Sequence, residues 1–550
     1  MAHEALSPAP APTPAPRPVP SIDALIGESA EQPPARAARS SRRPASRSPL
    51  SRRRLLTTAG AVAGGLGTVP LLDRLSFVPQ RMALAADAAA AAPADVQFDI
   101  DAFIPPAQTI DGVQVRFGPV HTLFATARLD FLPVVADQTR LENALRTIES
   151  VYPWSPSGVF THVAYGGPYW NAFPQSLSTA AIPRLLDGSG RFVQAPAVPG
   201  PTDVHPNNPG ITKQRFNVRV QLESNVMLFT IRSDIIGNTV DVANWLAGSN
   251  RLAGQAIASP RFASTTMTFT SFRSMFAQAG LPRQVANQQG FTFASVVNPK
   301  STMWMSFVDQ QTAGSAAATR VTFAGSGLTD GNAGRYLDFG AIQHLSHVIQ
   351  DLHQFYNVDE ALDASGQPVF GDDAGFSEKV QYMFHAPPVA QPDANSDLTG
   401  PAVLPNQFRG TGYAAQTAQG IGTDVDPATG LHERRVGHLS ALQRSSRDAQ
   451  GAPLHQRLDG PGFDSFDMNQ SGIPARFLNK SHPKLQFSVF LPSSAFFEDM
   501  RRNQASLDLQ QRFGSNPDDN GLERFLTATR RQNFLVPPRR HRSFPLVEFL

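Results

Sequence analysis

FNVRVQLESNVMLFTIRSD (216–234), followed by DVANWLAGSNRLAGQAIA (241–258), sets the fold class. The first run has strand-like patterning on both sides of Glu223-Ser224-Asn225 and predicts a hairpin of two strands. The second has the look of a helix. Upstream, VQVRFGPVHTLFATARLDF (113–131) alternates well enough for strands, and TRLENALRTIESVYP (139–153) puts Leu141, Leu145 and Ile148 at helical spacing. Strand–helix–strand units in succession indicate a ferredoxin-like α+β layer.

A second round follows. GRYLDFGAIQHLSHVIQDLHQFY (334–356) reads as a strand that continues as an amphipathic helix through Leu345, Ile349 and Leu352. FSEKVQYMF (376–384) reads as helix, and 386–430, rich in Gly, Pro, Asn and Asp, as a long loop. KLQFSVFLP (484–492) reads as a buried strand, followed by the helix SAFFEDMRRNQASLDLQQRF (494–513). The expected architecture is α+β, with two ferredoxin-like halves at 110–325 and 326–550, of the dimeric α+β barrel type. Each half has an ordinary domain size.

The N-terminal region is of another kind. Residues 1–50, with PAPAPTPAPRPVP at 8–20, lack a periodic apolar pattern and read as an unfolded leader. Ser51-Arg52-Arg53-Arg54-Leu55-Leu56 then opens a weakly hydrophobic run, the arrangement of a twin-arginine export signal over 51–85. Glycines and Pro70 interrupt that run, so it makes a poor permanent membrane span. Ala83-Leu84-Ala85 offers a small-residue cleavage site, and 86–109 reads as a linker. The expected destination is extracytoplasmic or secreted, with the twin-arginine machinery as a partner.

Charge sits unevenly. Residues 1–54 carry nine Arg against four Asp and Glu, while the whole chain is only +2. The remainder is therefore mildly acidic, and nothing points to a nucleic-acid partner. The chain has no Cys, which excludes disulfide frameworks, thiolate metal sites and cysteine nucleophiles. No GxSxG elbow or phosphate-cradling loop is present, which leaves serine hydrolase and nucleotidase readings without support.

The residues that carry chemistry cluster late. GHLSALQRSSRDAQGAPLHQRLDG (437–460) places His438 ahead of spaced arginines that end at Arg457, and the aromatic strand LQFSVF (485–490) follows. An imidazole can hold a haem iron, and an arginine can stabilise charge on a bound oxygen species. His432 and His455 are the other histidines of that region. Asp309 ends the apolar, aromatic run NPKSTMWMSFVDQQ (298–311), a setting that suits proton transfer. His344 and His347, with His353 and Asp351 nearby, would share a face of the expected helix as a zinc pair.

Together these strings resemble the dye-decolorising peroxidases, a haem enzyme family built from two ferredoxin-like halves and often exported by the twin-arginine route. The matching order is SFVDQQ (306–311), YLDFGAIQHLSHVIQDL (336–352), His438, Arg457 and LQFSVF (485–490). The resemblance implies His438 as the axial iron ligand of haem b, Arg457 as the distal arginine and Asp309 as the distal acid. It also implies Phe487 and Phe490 in the distal pocket wall, and hydrogen peroxide and a reducing substrate as reactants. Ser306 and Gln310 stand where that family's motif has glycines, and a full GxxDG string occurs instead around Asp330, the alternative acid. The other implied reading is an exported protein of the same fold that holds no haem and serves as a binding module.

Overall fold

A computed structural model describes residues 95–110, 113–208, 210, 218–306, 315–356, 438, 452–464, 473, 477, 482–505, 522, 523 and 525–550. Asp309, His432, the leader, the helix expected at 376–384 and the loop expected at 386–430 lie outside these residues.

After a short hairpin, β1 (Gln108–Ile110) with β2 (Val113–Val115), the first half runs β3 (His121–Leu129), α1 (Val135–Val151), β4 (Phe160–Gly166), β5 (Gln221–Leu222), β6 (Met227–Ser233), α2 (Ile236–Leu246) and β7 (Met267–Phe276). The second runs β8 (Ala341–Gln350), β9 (Gln456–Arg457), β10 (Gly460–Asp464), β11 (Lys484–Leu491), α3 (Ser494–Ala505) and β12 (Leu526–Val536). The four long strands of the first half lie in the order β7-β3-β6-β4, and those of the second in the order β12-β8-β11-β10. Each is the fourth–first–third–second order of a ferredoxin-like sheet.

The two sheets join at both edges. Phe534 and Leu535 of β12 pair with Gly166 and Tyr165 of β4, and Gly462 to Asp464 of β10 pair with Met275 to Arg273 of β7. With β10 also paired to β11, eight antiparallel strands close into a ring without free edges among them. The β10–β7 contact needs a residue without a side chain: a Cβ on Gly462 would lie 1.8 Å from the Ser274 carbonyl oxygen.

The ring interior is apolar at its centre. Phe124, Ala164, Leu228, Met275, Leu345, Phe490 and Phe534 come from seven of its strands and form one buried cluster, completed by Val96 and Phe98 from the segment before β1. That segment is pinned by Gln97, whose amide donates to the Val163 and Pro537 carbonyls and accepts from the Val163 N–H. Outside, α2 packs on β3 and β6, and α3 on β11 and β8. At the C-terminal end, Arg542 bonds Glu142 and Glu149 of α1, while the Tyr165 hydroxyl donates to the Arg542 carbonyl at 2.7 Å. No helix among the described residues is long and apolar enough to cross a membrane.

The α+β class and the two ferredoxin-like halves stand as read from the sequence, and α1 buries Leu141, Leu145 and Ile148 as its spacing predicts. Three local expectations are corrected. Residues 216–234 are not a hairpin: β5 runs parallel to β12, whereas β6 pairs with β3 and β4. The helix expected across 241–258 begins earlier and ends at Leu246, before Gly248 at φ 122°. The helix expected through Leu345 and Ile349 is the strand β8, every residue of which is buried. A strand covered on both faces loses its polar alternation, so its apolar residues can fall at helical spacing by chance.

Candidate functional site

The outer face of the second sheet and α3 enclose a cavity of about 190 Å³. Its floor is built by strand alternation: Ser346 and Val348 of β8 and Leu485 and Phe487 of β11 point outward, opposite the ring interior. On β12, both Ala528 and Arg531 reach the cavity, although residues three apart on a regular strand face opposite ways. The register shift between Ala528 and Arg530 resolves this, because Thr529 is an extra residue that turns Arg531 to the cavity side. The roof comes from one stripe of α3, Phe497, Met500, Arg501 and Gln504, at helical spacing. Met303 and Met305 line the cavity from the segment that leads toward Asp309.

Two buried arginines meet two buried carboxylates at one side. Arg531 grips Asp203 through both terminal nitrogens. Arg501 lies 3.2 Å from Glu523 and 3.5 Å from Asp203, and the Thr202 hydroxyl donates to Glu523. Burial lowers the pKa of Arg531 to about 10, with Asp203 opposing the shift. Burial also works against the charge on Arg501, but Glu523 and Asp203 outweigh it and raise its pKa.

His438 and Arg457 line this same cavity. Burial, reinforced by Arg501 and opposed by Glu523, brings the His438 pKa down to about 4, so its imidazole is neutral at physiological pH. Gln504 governs which ring nitrogen carries the proton. Its Oε1 accepts from Arg501 at 2.5 Å, which turns Nε2 toward His438 Nδ1 at 3.4 Å. Nδ1 thus faces a donor, and the ring proton belongs on Nε2.

The aromatic pair divides. Phe487 lines the cavity, but Phe490, expected in the same wall, is turned to the ring interior, because residues three apart on β11 face opposite ways. Asp330 is not a cavity residue. Its carboxylate accepts from the Arg184 N–H at 2.7 Å, and its own N–H donates to the Arg184 carbonyl. It serves a turn. Ser306 has φ 71°, the left-handed conformation that favours glycine. It is held there by the Asn298 N–H, which donates to its hydroxyl at 2.9 Å, and by a 2.5 Å bond between that hydroxyl and the Tyr356 hydroxyl.

The zinc pair is also corrected. His344 and His347 lie on a strand, so the same three-residue spacing sends them to opposite faces. His344 stacks on Phe497 and bonds Asn533 and Ser346. His347 bonds Thr529 and Asp464 inside the ring. Among the described residues, no three His, Asp or Glu are grouped so as to hold a metal.

Sequence reasoning missed Asp203, Arg501, Gln504, Glu523, Arg531 and Asp459, all cavity residues. Two signals were present: Phe497, Met500, Arg501 and Gln504 share a helical stripe, and His455, Arg457 and Asp459 alternate along one extended run.

No family model matches the chain, and no curated protein does. Among solved structures, the chain is similar to a putative dyp-type peroxidase from Shewanella oneidensis, at 13% identity over 77% of this chain and 94% of that one, with TM-score 0.38. It is similar to a variant of DypB from Rhodococcus jostii RHA1 in complex with heme, at 12% identity, 76% and 94% coverage and TM-score 0.40. It is also similar to a dye-decolorizing peroxidase from Bacteroides thetaiotaomicron, at 11% identity, 79% and 96% coverage and TM-score 0.40. Likeness at that level does not establish an activity for this chain.

Proposed function

We propose that this chain is an exported haem peroxidase that oxidises a reducing substrate with hydrogen peroxide. The observation that carries the reading is that His438 and Arg457 line one cavity together. Two features support haem b: a neutral imidazole at His438, and the apolar side chains of Leu485, Phe487 and Met500 for a flat ring; Arg501 and Arg531 are already paired with Asp203 and Glu523. Haem, when bound, supplies the oxidative chemistry. The chain's own groups would hold it through His438, exclude water with Phe487, and stabilise negative charge on bound peroxide with Arg457.

The test is an absorption spectrum of the haem-supplied protein. A Soret band that disappears in His438→Ala supports the reading, and no band in the parent chain refutes it. Normal haem occupancy in His438→Ala would move the ligand to His455 or His432. Export rests on the leader at 51–85. Replacing Arg52 and Arg53 with lysine should hold the chain in the cytoplasm in a fractionation assay, and undiminished export would refute it.

A haem-free binding module is the second reading, and two observations favour it. Gln504 directs a donor at His438 Nδ1, whereas a ligating histidine ordinarily donates from that nitrogen. The cavity, about 190 Å³, is also below the roughly 300–1,000 Å³ of most small-molecule sites. The same spectrum separates the two readings.

A further inference from the structure

On the outer face of the second sheet, side chains of β8 and β12 stand as two facing pairs. The β12–β8 register sets Arg531 opposite Ser346 and Asn533 opposite His344, close enough for each pair to interact across the strands. Ser346 lines the cavity, and His344, two residues away, lies on the same face of β8. The His344 Nε2 is 2.5 Å from the Ser346 Oγ, and its Nδ1 is 2.7 Å from the Asn533 Oδ1. Phe497 stacks on the imidazole and holds its plane.

The hydrogen bonds fix where the protons are. The Asn533 Nδ2 donates to the Ala195 carbonyl at 2.9 Å. Oδ1 is then the atom that meets His344, so the ring proton sits on Nδ1. Nε2 is left as a lone pair, and the Ser346 hydroxyl donates to it. A hydroxyl bonded to an imidazole whose other nitrogen is held by a third group is the arrangement of an activated serine. The chain has no GxSxG string, but that arrangement is recognised by geometry and roles, not by sequence position.

We propose that this chain has a further activity, the hydrolysis of small esters, with Ser346 as nucleophile, His344 as general base and Asn533 as the positioning residue. The activity belongs to the haem-free chain and does not rest on the peroxidase reading. In the first step a bond forms between the Ser346 Oγ and the ester carbonyl carbon, while the Oγ–H bond breaks and the proton passes to His344 Nε2. The bond from that carbon to the alcohol oxygen then breaks, and the alcohol leaves with the proton. Water next attacks the acyl carbon and gives a proton to Nε2, which returns it to Oγ as the carboxylic acid departs.

The surroundings suit that chemistry. The terminal nitrogens of Arg531 grip Asp203, but its buried Nε has no hydrogen-bond partner among the described residues. A buried N–H without an acceptor is costly, and the ester oxygen that turns negative as Ser346 attacks would supply one. Phe487, opposite Ser346 on β11, forms an apolar wall with Val348 and Met500. In about 190 Å³ that wall favours acyl groups of a few carbons. Burial holds the His344 pKa well below its ordinary value; the Asn533 bond opposes this, and Arg531 and Arg501 add to it. The imidazole is therefore a neutral acceptor at physiological pH. Asn533 orients the imidazolium without neutralising it, so slow turnover is expected.

The experiment uses the full chain without added haem and p-nitrophenyl acetate as the probe. The parent chain should release p-nitrophenol and carry an acetyl group on Ser346, located by peptide mass spectrometry. Ser346→Ala and His344→Ala should each slow the release by roughly 10²–10⁴-fold, the scale of general-base assistance. In Asn533→Ala the His344 ring proton should leave Nδ1 for Nε2, read from nitrogen-15 shifts, and acetylation should slow with it. Release from the parent no faster than from His344→Ala, or acetyl groups only on residues other than Ser346, overturns the proposal. Ring shifts unchanged in Asn533→Ala overturn the role of Asn533. If Ser346→Ala does not fold, the position of the acetyl group on the parent chain decides.

Discussion

Phe98 lies flat against Phe490, with ring centroids 4.1 Å apart and planes within 5° of parallel. One residue comes from the segment ahead of β1 and the other from the second half, so the stack fastens that segment inside the closed ring. Phe98→Ala removes a side chain that is 2% exposed and should cost about 3–5 kcal/mol, as large-to-small changes in cores do. Urea denaturation followed by tryptophan fluorescence reads it; a loss under 1 kcal/mol would mean the segment is not part of the cooperative core.

Ser306 holds a left-handed backbone with a hydrogen-bonded hydroxyl. Ser306→Ala keeps the strain and loses the bonds, and should destabilise by about 1–3 kcal/mol. Ser306→Gly loses the same bonds but relieves the backbone, so its cost should be smaller. Thermal unfolding of both variants checks the order, and a glycine variant weaker than the alanine one would contradict it.

The sequence carried the fold further than the site. Leu141, Leu145 and Ile148 announced α1 because that helix buries a single stripe, and KLQFSVFLP announced β11. β8 was misread because both of its faces are covered, which erases the period-two signal. That error also put His344 and His347 on one face. In the site, Phe490 was grouped with Phe487 by type, although strand parity separates them. Arg531 could not be foreseen, since the bulge at Thr529 that turns it leaves no mark in one sequence. Asp203 and Glu523 reach the cavity through long-range packing, which is equally invisible there.

Glu142 joins Arg542 in the clamp between α1 and the C-terminal end. Burial pushes its pKa up, but bonds from Arg542, Arg146 and Ser543 outweigh that and bring it from 4.5 to about 2. A carboxylate depressed by folding stabilises the fold fully above its unfolded value and loses that contribution as protons bind. Stability should therefore fall between about pH 4.5 and 2, and Glu142→Gln should flatten the fall. Melting temperatures across that range decide it, and equal slopes in both proteins would remove Glu142 from the account.

Gln504→Glu should invert the tautomer of His438. A carboxylate at that position accepts from Nδ1–H, which frees the Nε2 lone pair and makes it more basic. Nitrogen-15 chemical shifts of the histidine ring in the cofactor-free protein should exchange between the two nitrogens, and haem retention should rise. Unchanged ring shifts would mean Gln504 does not set the proton's position.

The bulged strand β12 has a consequence for the order of assembly. It supplies Ala528 and Arg531 to the cavity floor and closes the ring against β4, and it follows in the chain the described strands β8, β9 and β11 that border the same cavity. Elements of the first half can form while the chain is still growing, but the floor is unfinished until Arg531 has emerged. Any molecule that needs the finished floor can be captured only once β12 has been made, not during synthesis of the strands before it.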